Sequence, residues 1–352
     1  MSTFLAKSFE TIVAYKPGEQ LGDDYLKLNA NESSQEPSPR VLEVLKNVQN
    51  LNYYNDPCQH KLRQKLADLH SLDKTNIIVG TGADDVLDLI FRTFFERGDK
   101  LAFPKVTYPF YKGYADTYGY EALEVPLTKD LRVDLSDYED LPHAVLVVNP
   151  DAPTGFLKPL SAIKKLVASH PERLVIVDEA YIDFGGKSAM ELVNKYENVL
   201  VVQTFSKSRA MAGMRIGYCF GNPELIKALN AVKFSFNSYT MNRTSISYGI
   251  ESVNDKEYFE ECVGKIVKTR ENAKERLSQL GFSFPDSKAN FIFATHKSVS
   301  AKEIFEKLKE KNIFVRYFNQ PLIDNYLRIT IGTDEQMEKL YAALEEITGQ
   351  VK

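Results

Sequence analysis

The amino-acid sequence predicts an α/β protein: a large domain whose mostly parallel, seven-stranded sheet is sandwiched by helices, plus a smaller α+β domain. Three observations predict it. Residues 76–220 alternate short, continuous apolar runs with longer amphipathic segments, the pattern of strands buried on both faces and joined by crossover helices. Polar or glycine-rich turns follow several of those runs. Beyond about residue 255 the pattern changes to a long charged helix and short strands. The expected division is 46–254 for the large domain, with 1–45 and 255–352 forming the small one.

Residues 1–35 read as extended and polar, with turn signals at Lys16-Pro17-Gly18 and Glu36-Pro37-Ser38-Pro39. Helical spacing covers 39–48 and 60–69. Between them Leu51-Asn52-Tyr53-Tyr54-Asn55-Asp56-Pro57 has loop composition. The candidate strands are 76–79, 100–103, 121–125, 144–148, 174–177, 199–202 and 216–220. Gly80-Thr81-Gly82, Asn149-Pro150-Asp151, Asp178-Glu179 and Ser206-Lys207 follow four of them. Ligands of open α/β sheets bind outside the carboxyl ends of strands, so these four loops converge on one site. A charged helix over 256–280, strands at 282–284 and 290–294, a helix over 301–311, strands at 313–317 and 326–331 and a helix over 334–347 complete the chain. Their sheet is expected to be mostly antiparallel.

A formal net charge of −4 makes the chain a poor general binder of nucleic acid or anionic membrane. No apolar run reaches membrane-spanning length, and no signal-peptide layout opens the chain. Cys58, Cys219 and Cys262 are far apart and suit a reducing, cytoplasmic setting. The five scattered histidines form no metal-ligand pair at helical spacing, so no metal is expected.

Lys207 lies just past a buried strand, with Ser206 before it and Arg215 eight residues on. Lysine forms a Schiff base with an aldehyde, and serine and arginine hold a phosphate. Together they describe pyridoxal phosphate. Asp178 ends another strand, where a carboxylate can pair with a protonated pyridine nitrogen; Tyr181 can donate to the ring's phenolate oxygen. Gly80-Thr81-Gly82-Ala83-Asp84-Asp85 opens a helix, where backbone N–H groups of small residues approach an anion closely. Asp84 can serve there through its backbone or as a cap. Arg215 is a natural bidentate phosphate clamp, and Tyr108 can stack on a flat ring. Arg316 and Arg328 sit inside apolar strands, which is costly unless they meet an anion or an ion-pair partner.

At this point the chain resembles the fold-type-I pyridoxal-phosphate aminotransferases of the aspartate aminotransferase superfamily, nearest the histidinol-phosphate branch. The resemblance includes Ala14-Tyr15-Lys16-Pro17-Gly18, Lys27-Leu28-Asn29-Ala30-Asn31-Glu32, Tyr54-Asn55-Asp56-Pro57, Pro153-Thr154-Gly155, Asp178-Glu179-Ala180-Tyr181, the Ser206-Lys207 to Arg215 run, Ala289-Asn290-Phe291 and Leu327-Arg328-Ile329-Thr330. It implies a homodimer with a shared active site and transfer of an amino group from an amine to 2-oxoglutarate. It implies that Lys207, Asp178 and Tyr181 are catalytic. Ala83, Asp84, Tyr108, Ser206 and Arg215 would join them in holding pyridoxal 5'-phosphate, with Tyr54 reaching the neighbouring subunit's site. Tyr15, Asn31, Arg316 and Arg328 would face the substrate.

One departure stands out. The superfamily usually carries Asn before Pro-Thr-Gly, where it donates to the ring oxygen, and here Ala152 takes that place. Tyr181 then carries the contact alone, or Asn149 or a water compensates. The alternative functions are an aromatic or broad-specificity aminotransferase and a threonine-phosphate decarboxylase.

Overall fold

The computed structural model describes residue 19, residues 25–141 and residues 143–349. Its strands in chain order are β1 (Leu26–Leu28), β2 (Ile77–Gly80), β3 (Lys100–Pro104), β4 (Glu121–Val125), β5 (Ala144–Val148), β6 (Val175–Asp178), β7 (Val199–Thr204), β8 (Gly217–Gly221), β9 (Phe282–Ser283), β10 (Phe291–His296), β11 (Ile313–Tyr317) and β12 (Leu327–Thr330). Helices α1 (Pro39–Val44), α2 (His60–His70), α3 (Ala83–Phe94), α4 (Phe110–Tyr118), α5 (Leu160–Ser169), α6 (Pro223–Phe236), α7 (Arg243–Asn254), α8 (Lys256–Gln279), α9 (Ala301–Glu310) and α10 (Asp334–Thr348) connect and cover them.

Seven strands form the large sheet in the order β2-β8-β7-β6-β5-β3-β4. Its pairings are parallel from β7 through β6, β5 and β3 to β4, while β8 is antiparallel to both neighbours. All seven expected strands are present; β8 reverses because residues 205–216 return it beside β7 without a crossover α-helix. The apolar runs are buried on both faces, as parallel strands between helix layers require. One face packs with α2, α5 and α7 residues such as Leu62, Ile163 and Tyr248; the other packs with α3, α4 and α6 residues such as Leu87, Tyr111 and Leu229.

The second sheet runs β1-β11-β12-β10-β9. It is antiparallel except that β1 adds to β11 in parallel. The sequence marked the β1 stretch as merely extended; its pairing partner lies almost 290 residues away in register, Leu26 against Ile313. The core of this sheet also takes in Tyr181 and Phe184 from the loop after β6. That packing ties the large sheet's carboxyl edge to the small sheet. The α10 start is fixed by a reciprocal cap between Thr333 and Gln336.

Glu179, one residue past β6, turns away from Asp178 into a buried polar knot. It accepts from the Ala189 N–H at 2.7 Å, from Gln203 Nε2 at 2.8 Å and from the Ser188 hydroxyl. Burial is the dominant influence and pushes its carboxyl up to about 7, against a model-peptide value of 4.5. The folded state therefore holds this proton more tightly than the unfolded chain. Stability from it is complete below about pH 4.5 and is lost as pH rises through about 7, by up to about 3 kcal/mol. Urea unfolding at pH 5 and pH 8 should show this loss in the wild type and a smaller one in Glu179→Gln.

Candidate active site

The site assembles where β2, β6 and β7 end. Asp178 closes β6 and is 5% exposed. Its Oδ2 accepts from the Tyr111 hydroxyl at 2.6 Å and its Oδ1 from the Ala180 N–H at 3.0 Å. Burial pushes the carboxyl up, while those two donors and Lys207 pull it down. Tyr111 is fully buried on α4, and desolvation with the Asp178 charge keeps its hydroxyl protonated as a donor.

Lys207 follows β7 in a tight turn and reaches toward the same edge. Its Nζ donates to the Ala30 carbonyl at 3.3 Å and lies 5.7 Å from the centre of the Tyr181 ring. Tyr181 stands edge-on to Phe291 at 5.1 Å. Its hydroxyl accepts from Asn31 Nδ2 at 3.0 Å.

The anion cradle is built by close backbone approach. Gly82 caps α3 at φ +85°, a conformation that disfavours a side chain, and a Cβ there would lie 2.5 Å from Arg215 Nη2. Gly217, opposite Thr204 on β7, lets the turn sit against the sheet: a Cβ would meet Gly82 C at 2.2 Å and Ala83 N at 2.4 Å. The first N–H groups of α3, including those of Ala83 and Asp84, have no partner within the helix and face an anion favourably. Arg215 donates to Asp84 Oδ2 at 3.5 Å with its side chain 46% exposed. Tyr108 donates to Asp84 Oδ1 at 3.0 Å and stacks on Phe110. The Asp84 side chain thus holds Arg215 and Tyr108, a role in addition to the backbone and capping ones its sequence context suggests. Ser206 is buried beside Thr204, which donates to its hydroxyl at 3.0 Å.

Arg316 and Arg328 face each other in register on β11 and β12. Residues directly opposite share one face, so two guanidinium groups are brought together there, an arrangement that favours an anion between them. Arg328 also donates to the Asn29 carbonyl at 3.0 Å and lies over Phe291 and Phe318.

Residues 23–344 match the model of the family described as aminotransferase class I and II. The chain belongs to that family. It is 46% identical to a histidinol-phosphate aminotransferase of Brachyspira hyodysenteriae, over 96% of this chain and 97% of the relative. A histidinol-phosphate aminotransferase of Marinomonas sp. is 45% identical over 99% of this chain and 100% of its own. Among solved structures, the histidinol-phosphate aminotransferase of Sinorhizobium meliloti in complex with pyridoxal-5'-phosphate superposes with a TM-score of 0.87. That match covers 100% of this chain and 99% of the other, at 25% identity.

In this aminotransferase the structure joins Asp178, Lys207, Tyr181, Asn31, Ser206, Arg215, Ala83, Asp84 and Tyr108 along one sheet edge. Tyr54 stands apart: it is 80% exposed, its ring tilted against that of Tyr239 with centroids 4.5 Å apart. Tyr15 lies outside the described residues. Sequence reasoning missed Tyr111, which sits in the first turn of α4 and acts on a strand end far along the chain. It also missed Thr330, which holds Asn31, and no local pattern marks that pairing. Asn149 is committed elsewhere, with its Oδ1 accepting from the Lys158 N–H at 2.8 Å. Asp56, Cys58 and His60 bring possible metal-ligand atoms within 4.8 Å, a cluster that a search for histidine pairs passes over. Asp56 already accepts there from the Cys58 and His60 N–H groups and from His60 Nδ1, the work of a helix cap. A Gly217→Ala variant should push the Gly82-Ala83 turn off the sheet and lose about 1–3 kcal/mol of unfolding stability in denaturant titration.

Proposed function

We propose that the chain catalyses the pyridoxal-phosphate-dependent transfer of the amino group of L-histidinol phosphate to 2-oxoglutarate, giving imidazole-acetol phosphate and glutamate, a step of histidine biosynthesis. The observation that carries this reading is the meeting of Lys207, the buried Asp178 and a backbone anion cradle at one strand edge, in a chain whose near-full-length relatives are named for this substrate.

The residues present fit the cofactor. The close approach of Gly82 and Gly217, which added Cβ atoms would block, leaves backbone N–H groups, Ser206 and Arg215 to hold its phosphate. A carboxyl that burial pushes up gains most from a cationic partner, and a protonated pyridine nitrogen at Asp178 is one. Tyr181 would hold the ring oxygen, and Tyr108 would cover the ring face. When bound, the cofactor supplies an aldehyde that takes the amine and a ring that accepts electron density from its Cα. Lys207 Nζ takes the Cα proton and returns it, held close by the Ala30 carbonyl and the Tyr181 ring. Arg316 and Arg328 would grip the substrate phosphate and, in the second half-reaction, a carboxylate, because a guanidinium fork fits either.

The amine and oxo-acid substrates follow from the family. A homodimer is our further reading. Leu51, Tyr53, Tyr54, Phe236 and Tyr239 are exposed apolar side chains, and Tyr54 on a partner would reach this site's phosphate. No described helix is long and apolar enough to cross a membrane, and Cys58, Cys219 and Cys262 are free thiols, which suits the cytoplasm we propose.

Reconstituted wild type should show the visible absorption of lysine-linked cofactor, and Lys207→Ala should lack it while still folding. Histidinol phosphate should bleach that band and yield glutamate when 2-oxoglutarate is added. A preference for phenylalanine or tyrosine, or carbon dioxide release from threonine phosphate, would assign the chain to a different activity. Equilibrium sedimentation should give twice the chain mass, and mixing inactive Lys207→Ala with inactive Tyr54→Ala should restore activity through hybrid dimers.

A further inference from the structure

Ala152 leaves the cofactor's ring oxygen one donor short, and Asn149 is bound to the Lys158 backbone. The remaining donor is Tyr181, and a hydroxyl has a single proton to give. Where that proton points depends on what else touches the hydroxyl oxygen.

Asn31 settles the direction. The Thr330 hydroxyl accepts from the Asn31 N–H at 3.0 Å and donates to Asn31 Oδ1 at 3.1 Å. With the amide's oxygen toward Thr330, its Nδ2 donates to the Tyr181 hydroxyl, 3.0 Å away. The Asn31 carbonyl accepts from Asn290 Nδ2 at 3.1 Å, and the residue sits at φ +55°, a left-handed conformation that Asn tolerates well. Asn31 is 1% exposed, and both ends of its side chain are occupied. Because Asn31 donates to Tyr181, the tyrosine's own proton must point away from Asn31.

We propose that Asn31 is a positioning residue: it aims the Tyr181 hydroxyl at the cofactor's ring oxygen and so offsets the donor that Ala152 lacks. The inference rests on the cofactor reading above and reassigns Asn31 from substrate contact to control of Tyr181. Thr330 ends β12 and pairs with Phe291, the ring that meets Tyr181 edge-on, so the small sheet sets this aim.

A donor on the ring oxygen spreads its negative charge and makes the nitrogen linked to Lys207 less basic. Charged groups near Tyr181 include Lys207, 5.7 Å from its ring, Asp178 three residues before it and, across Phe291, Arg328. The test is an absorbance titration of the cofactor band in wild type, Asn31→Gly, Tyr181→Phe and the double variant. Glycine accepts the +55° backbone and adds no charge. The Asn31→Gly midpoint should rise by about one pH unit, the scale of one hydrogen bond to a charged group. Tyr181→Phe should rise in the same direction, and the double variant should rise no further. Adding Ala152→Asn to Asn31→Gly should bring the midpoint back toward wild type. Should Asn31→Gly fail to fold, Thr330→Val removes the anchor isosterically and should raise the midpoint too. An unmoved midpoint, or shifts of Asn31→Gly and Tyr181→Phe that simply add, would overturn the inference while leaving the cofactor reading intact. A wild type with no cofactor band would sink both.

Discussion

The carboxylate of Asp178, buried at the end of a central parallel strand, is the constraint around which this site is organised. Charge in a desolvated position is tolerated when donors and a cation answer it. The Tyr111 hydroxyl, the Ala180 N–H and the nearby Lys207 do so here. Each comes from a different part of the chain, and the sheet order puts them within reach. With β6 between β5 and β7, the Lys207 turn and the Asp178 turn must leave the same edge side by side.

The anion cradle follows from the same topology. β8 returns antiparallel beside β7 and carries Gly217 to the point where the Gly82 turn enters α3. Bulk at Gly217 would separate helix start from sheet, and bulk at Gly82 would displace the Arg215 side chain, so the N–H groups and Arg215 would no longer converge. The second sheet then closes the site from above. β1 pairs with β11, placing Ala30 against Lys207 and Asn31 against Tyr181, while Arg316 and Arg328 line up across β11 and β12. The paired arginines and the Asn31–Tyr181 contact thus share one small sheet, and a shift of that sheet would be felt at both.

Much of this was legible in the chain because the relevant signals are local. Apolar runs, most of them continuous, located all seven strands of the large sheet, since a strand buried on both faces has no polar position to break the run; β4, at the sheet's edge, is the one with exposed glutamates, Glu121 and Glu124. Lys207, Asp178 and the Gly82 turn stood out because each ends or follows such a run. The direction of β8 was not legible, since an apolar run looks the same either way. Tyr111 and Thr330 escaped notice because each acts on a partner brought near by folding: Tyr111 on Asp178, 67 residues on, and Thr330 on Asn31, 299 residues back. Tyr54 was legible as a motif, yet within one chain it points outward, its ring tilted against that of Tyr239.

By itself the sequence determined the fold class, the family and which polar residues end the strands, because these depend on residue type at short spacing. Tertiary structure alone decided which groups hold the chemistry in place. It bound Asn149 to the Lys158 backbone, set Asp84 against Arg215, and turned Asn31 onto Tyr181. The physical reason is that a hydrogen bond is directional and short. Which donor meets which acceptor is settled by the packing of distant strands, and no local run of residues encodes it.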